Sequence, residues 1–224
     1  LPLPLYNDKI SEIQESEVAR MIAVIDYDAG NMKSVEKALE ALGESPVITR
    51  DPGILLKADK LILPGVGAFG DAMKKLEDYG LTEVIRRAAL EEKKPFLGIC
   101  LGMQLMFQDS EESPGVKGLG ILPGHILKLQ EKPGMKIPHM GWNSLCIRPG
   151  TRMYQGIQDG AYVYFVHSYY LKADQEDMVA AWADYSACIH ASAEYENLFG
   201  CQFHPEKSGQ TGLRILKNFI SLQQ

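Results

Sequence analysis

The chain has no apolar run approaching the roughly 18 residues that a membrane-spanning helix needs. It also has no C-x-x-C pair, no internal repeat and no low-complexity segment. Positive charge is in deficit: 23 Lys and Arg against 29 Asp and Glu leave a net charge of −6, so no basic face for nucleic acid is expected. Histidine is scarce, with 5 residues, and no two have a spacing that a cysteine or carboxylate would complete into a metal site. Cysteine is confined to Cys100, Cys146, Cys188 and Cys201. Without a secretory signal, these read as free thiols in a reducing cytoplasm. The 46% hydrophobic content is enough for the core of one large domain.

Residues 1–20, LPLPLYNDKISEIQESEVAR, differ in texture from the rest of the chain. They read as an appended tail or remnant, with the domain spanning 21–224. From Met21 onward, short apolar runs alternate with helical periodicity. Strands are expected at 21–26, 46–49, 60–64 and 95–99. Helices are expected over 32–42, with Asn31 as N-cap and Gly43 as stop, over about 71–94 with a break at Gly80, and from 101. Such alternation implies β-α-β units and a parallel sheet. Beyond about residue 118, strands succeed one another at 125–130, 145–149, 162–171, 178–185, 188–195 and 198–204, and this half reads as antiparallel. An amphipathic helix over about 211–222, with Leu213, Leu216 and Ile220 on one face, ends the chain. The expected fold is α/β: an open mixed sheet whose N-terminal part is parallel and flanked by helices, with an antiparallel C-terminal extension.

Gly65, Gly67 and Gly70 stand in the G-x-G-x-x-G spacing of a dinucleotide-binding turn. That motif belongs after the first strand of such a fold and needs an acid about 20 residues on, at the end of the next strand. Here it comes after the third strand, and Glu91 and Glu92 lie in a helical stretch instead. Pro64 removes a backbone donor just before the first glycine. No cofactor is expected.

GICLGMQ, residues 98–104, carries more. A strand ends at Ile99 and a helix begins near Leu101, so Cys100 sits in a strand-to-helix turn with glycines two residues to either side. This is the pattern of a nucleophile elbow, where a tight turn raises the nucleophile above the sheet. The helix N-terminus favours a thiolate, and the Leu101 N–H points where an oxyanion would form. Cys146, Cys188 and Cys201 lie within strand patterns and read as buried structural residues. A cysteine nucleophile needs a base, and the base needs an orienting group. His204 ends an apolar strand, and Glu206, two residues on, projects to the same side if the backbone is extended. His125 and His190 lie mid-strand with no acid nearby, and His139 and His167 sit in PHMGWN and VHSYY.

G-I-C-L-G-M-Q with a later F-H-P-E resembles the class I, triad-type glutamine amidotransferases, whose fold is flavodoxin-like. DYDAGN, PGVGAFG, PHMGWN, YFVHSYY and QFHPEKS make the resemblance closest to the glutaminase subunits of imidazole glycerol phosphate synthase, of histidine biosynthesis. It covers essentially all of the chain from Met21.

The resemblance implies hydrolysis of L-glutamine by a Cys100–His204–Glu206 triad. It implies an oxyanion hole from the Val66 and Leu101 N–H groups. Gly65, Gly67 and Gln104 would contact the glutamine, Glu112 its ammonium, and Ser168 and Tyr169 its other polar end. It further implies a heterodimer with a (β/α)8-barrel cyclase subunit that receives the ammonia. Asn31, Pro138, Met140, Trp142 and Lys207 would lie at that interface. Two other readings remain at this point: an ammonia-supplying glutaminase or γ-glutamyl hydrolase of another system, and a non-catalytic binding module on the same fold. PHMGWN and DYDAGN argue against the first, and the complete triad against the second.

Overall fold

The computed structural model describes residues 20–223, so the expectation for the N-terminal tail lies, Arg20 apart, outside the described residues. Strand β1 (Ile22–Ile25) lies between β2 (Val47–Thr49) and β3 (Lys60–Leu63), both parallel to it. The parallel run continues through β4 (Phe96–Ile99) to the last strand of the chain, β13 (Leu198–Cys201). Every residue of β1, β3, β4 and β13 is buried. Strands with both faces covered show apolar runs without alternation, which is how the sequence displays them.

Beyond β13 the sheet turns antiparallel. It passes through β12 (Cys188–Tyr195) and β10 (Tyr169–Ala173) to β6 (Gly124–Lys128), with short β5 (Asp109–Ser110) parallel to β6 at the edge. On its other side β12 pairs with β11 (Val179–Asp184), which carries β8 (Cys146–Ile147). Among the described residues this makes eleven strands in one mixed sheet. The expectation of a parallel half and an antiparallel extension is met, with one addition. The final strand enters the parallel half and lies directly beside β4.

Helices α2 (Pro52–Lys57), α3 (Phe69–Asp78), α4 (Leu81–Arg86) and α5 (Leu101–Leu105) pack on one face of the sheet. A short π-helical turn, Arg87–Glu91, continues from α4 where an uninterrupted helix was expected. Helices α1 (Met32–Glu40) and α6 (Gly209–Ser221) pack on the other. The buried stripe of α6 runs through Ile215, Leu216 and Phe219, with Leu213 and Ile220 at its margin. Each of the three buried side chains contributes about 1.5–3 kcal/mol by leaving water.

The expected single strand over 162–171 is two strands. β9 (Tyr162–His167) leaves the main sheet and pairs antiparallel with β7 (His139–Ser144) in a separate two-stranded sheet, while β10 rejoins the main one. Ser168 is the crossing point.

Candidate active site

Parallel pairing sets Ile99 opposite Cys201, and the Cys100 N–H donates to the Cys201 carbonyl at 2.7 Å. Cys100 therefore leaves the sheet at the C-terminal end of β4, with φ 53° and ψ −110°, and α5 starts at the next residue. The flanking glycines serve close packing rather than the turn itself. A Cβ on Gly98 would lie 2.6 Å from Met103 Cα, and one on Gly102 would lie 1.7 Å from the Leu63 carbonyl oxygen. Helix α5 is only five residues long, so its dipole adds less to Cys100 than a full helix would.

His204 is completely buried. Its Nδ1 lies 2.8 Å from Glu206 Oε1, and because a carboxylate only accepts, Nδ1 carries the proton. The pairing matches the expectation, but its backbone does not: Pro205–Lys207 is a 3-10 turn, which folds Glu206 back toward the ring. The other nitrogen, Nε2, is buried without a hydrogen-bond partner. Burial opposes charge on the ring, yet Cys100 and Glu206 outweigh it and push His204 up to about 9.

Asn31 does not cap α1 as expected. It adopts a left-handed φ of 79°, and its Nδ2 donates to Glu206 Oε1 at 2.5 Å. The acceptor that a cap would offer the helix is replaced by a donor held on the triad's carboxylate.

A cavity of about 320 Å³ opens in front of Cys100. Of the expected residues, Val66, Gly67, Leu101, Gln104, Glu112, Ser168 and Tyr169 line it, with Pro138 at its edge. Gly65 does not; it lies behind the wall, where a Cβ would meet Tyr27 Oη at 2.1 Å. The Leu101 N–H donates to the Gly65 carbonyl at 3.3 Å. Glu112 is more than a solvated acid, because its Oε2 accepts from the Phe69 N–H at the start of α3, at 2.8 Å.

Two buried histidines outside the triad form a one-way chain. His167 Nδ1 donates to the Tyr169 carbonyl at 2.9 Å, so its Nε2 accepts from His139 Nδ1 at 3.0 Å. His139 Nε2 then accepts from Asn143 Nδ2 at 3.3 Å. Burial holds both rings neutral, pulling His139 down to about 4 and His167 to about 3. Each ring thus supplies one donor and one acceptor, as the chain requires. The motifs around both histidines were visible in the sequence, but their pairing depends on β7 facing β9.

Two other expectations change. His125 lies 2.6 Å from Asp109, and His190 Nε2 lies 4.0 Å from Glu176, so neither lacks an acid. Cys146 and Cys188 are exposed, the first in the short edge strand β8 and the second at the first residue of β12; only Cys201 of the three is buried. Met140 and Trp142 project outward from β7, with exposures of 63% and 56%. Lys207 is also exposed, beside Glu206. Among the described residues no group of three His, Cys, Asp or Glu side chains could hold a metal ion, and no helix is long and apolar enough to cross a membrane.

The family of class I glutamine amidotransferases matches residues 23–222. The chain belongs to that family. Within it, the chain is 48% identical over 202 residues to imidazole glycerol phosphate synthase subunit HisH of Methanothermobacter thermautotrophicus, covering 90% of this chain and 98% of that one. It is 51% identical over 199 residues to the HisH subunit of Caldanaerobacter subterraneus subsp. tengcongensis, covering 89% and 97%. These identities place the chain among the HisH amidotransferases. The fold is shared more widely: the PurLQS structure from Thermotoga maritima superposes with a TM-score of 0.68 at 20% identity, over 90% of this chain and 98% of that one.

Proposed function

We propose that this chain hydrolyses L-glutamine at Cys100 and passes the ammonia to a separate (β/α)8-barrel cyclase subunit, in the synthesis of imidazole glycerol phosphate for histidine. The observation that carries the chemistry is the buried His204–Glu206 pair behind Cys100, with the cavity in front of it. The Cys100 sulfur, its proton taken by His204 Nε2, attacks the side-chain amide carbon, forming a C–S bond and moving the carbonyl electrons onto oxygen. As the oxyanion collapses, the C–N bond breaks and His204 Nε2 gives its proton to the departing nitrogen, which leaves as ammonia. Water then attacks the thioester, giving its proton to His204, and glutamate leaves as the C–S bond breaks.

Val66 and Leu101 N–H groups would stabilise the oxyanion. For Leu101 to take part, its N–H must leave the Gly65 carbonyl, a long bond at 3.3 Å. Gly67, with φ 114°, gives the neighbouring peptide the freedom that such a change needs. Gln104, Glu112, Ser168 and Tyr169 surround the bound glutamine. Asn31, Pro138, Met140, Trp142 and Lys207 face the cyclase. The assignment to the cytoplasm rests on the free thiols.

The test is glutamate release by the chain alone, with the cyclase, and with the cyclase plus its ribonucleotide ligand. A rise in the third condition that Cys100→Ala abolishes is the expected result. Hydrolysis by the chain alone that is indifferent to the cyclase would remove the partner from the reading and leave the Cys100 chemistry.

A further inference from the structure

Gln202 takes no part in the steps of glutamine hydrolysis proposed for the triad, yet its side chain touches the nucleophile. It is fully buried on the segment leaving β13, and its Nε2 donates to Cys100 Sγ at 3.6 Å. Its Oε1 accepts from Gln104 Nε2 at 3.0 Å. That same Gln104 nitrogen also donates to the Tyr169 carbonyl, at 3.0 Å.

One group dictates the direction of this chain. A peptide carbonyl can only accept, so Gln104 turns its amide nitrogen toward Tyr169. The second hydrogen on that nitrogen must meet an acceptor, so Gln202 offers Oε1 and is left with its own nitrogen facing sulfur. Turning the Gln202 amide over would set two donors against each other and aim an oxygen at the sulfur. A neutral thiol accepts hydrogen bonds weakly. A charged acceptor forms bonds about twice as strong. A buried amide N–H held against sulfur therefore binds it more strongly the more negative charge the sulfur carries.

We infer that Gln202 is a further catalytic residue: its carboxamide, oriented by Gln104, holds the Cys100 sulfur in its attacking form and receives it again when the thioester breaks. The inference rests on Cys100 being the nucleophile. It also ties the sulfur to the cavity, since Gln104 lines the cavity and sets the direction of the Gln202 amide.

The experiment compares the full chain with its Gln202→Leu and Gln202→Glu variants. Site-resolved alkylation of Cys100 by iodoacetamide at neutral pH is monitored by mass spectrometry, alongside kcat and KM for glutamine. Loss of a hydrogen bond to a charged group predicts alkylation and kcat slower by about 10- to 100-fold, with KM changed by less than about twofold. Gln202→Glu keeps the shape of the side chain and sets oxygen against sulfur, so it carries the test if Gln202→Leu does not fold. Alkylation and kcat within about twofold of the parent overturn the inference. Cys100→Ala separates the two failures. If Cys100→Ala still turns over, the glutaminase reading falls. If it is inactive while the Gln202 variants are normal, only the role of Gln202 falls.

Discussion

Cys100 occupies a backbone region that costs an L-residue on the order of 1–3 kcal/mol, and it is held there by pairing to β13 on one side and α5 on the other. In the proposed mechanism His204 protonates the leaving group. Its value of about 9 stands above the ordinary 6.5. A raised folded value means that the charged ring's stabilisation is complete below about 6.5 and is lost as pH climbs toward 9. Turnover at saturating glutamine is expected to fall along an alkaline limb near 9, as the imidazolium disappears. Glu206→Gln removes one of the two groups supporting that charge, so the limb moves to lower pH and kcat drops by about 100-fold. Paired pH–rate profiles check this; a limb that stays in place rules out Glu206 as the support. Cys100, His204 and Glu206 were legible in the sequence because reactive side chains stand at the ends of apolar runs. Gln202 was not, since nothing in its neighbourhood announces that β13 lies against β4. Asn31 carried the opposite signal, reading as a helix cap while its amide serves Glu206.

At the scale of elements, α5 stays on β3 only because Gly102 has no side chain. Gly102→Ala would force a carbon to within 1.7 Å of a backbone oxygen that cannot rotate away. We expect a loss of about 3 kcal/mol or more in urea unfolding, together with loss of turnover, because the elbow lifts with the helix. Unfolding within about 0.5 kcal/mol of the parent would mean that α5 shifts freely off the strand. The buried parallel strands were readable as apolar runs, and α1 as a periodic stripe. Helix α2 was overlooked. Its six residues are too few to show a period, although Asp51 caps it by accepting from the N–H groups of Gly53 and Ile54. Strand β7 was hidden by its composition, His-Met-Gly-Trp-Asn-Ser, which has little β preference. The break at Ser168 was hidden because β9 and β10 form one unbroken strand-like run whose halves join different sheets.

Across the whole molecule, the large sheet holds the triad while the two-stranded sheet presents Met140, Trp142 and Tyr162 to solvent. These exposed side chains support the proposed docking face. Trp142→Lys is expected to weaken binding of the proposed cyclase subunit by about tenfold or more in calorimetry, while basal hydrolysis by the chain alone stays unchanged. A Kd within about twofold of the parent would take this face out of the interface. One carbonyl oxygen is shared by the polar chains of both sheets. The Tyr169 carbonyl accepts from His167, which leads back to Asn143 on the small sheet, and from Gln104, which leads on to Gln202 and the sulfur. That oxygen belongs to the main chain, so no exchange of the residue at position 169 deletes it. A lineage that changes the side chain at 169 still inherits the junction. An aligned column of changing letters would conceal it, and only a chemical edit of the backbone, such as an ester in place of the next amide, would weaken it directly.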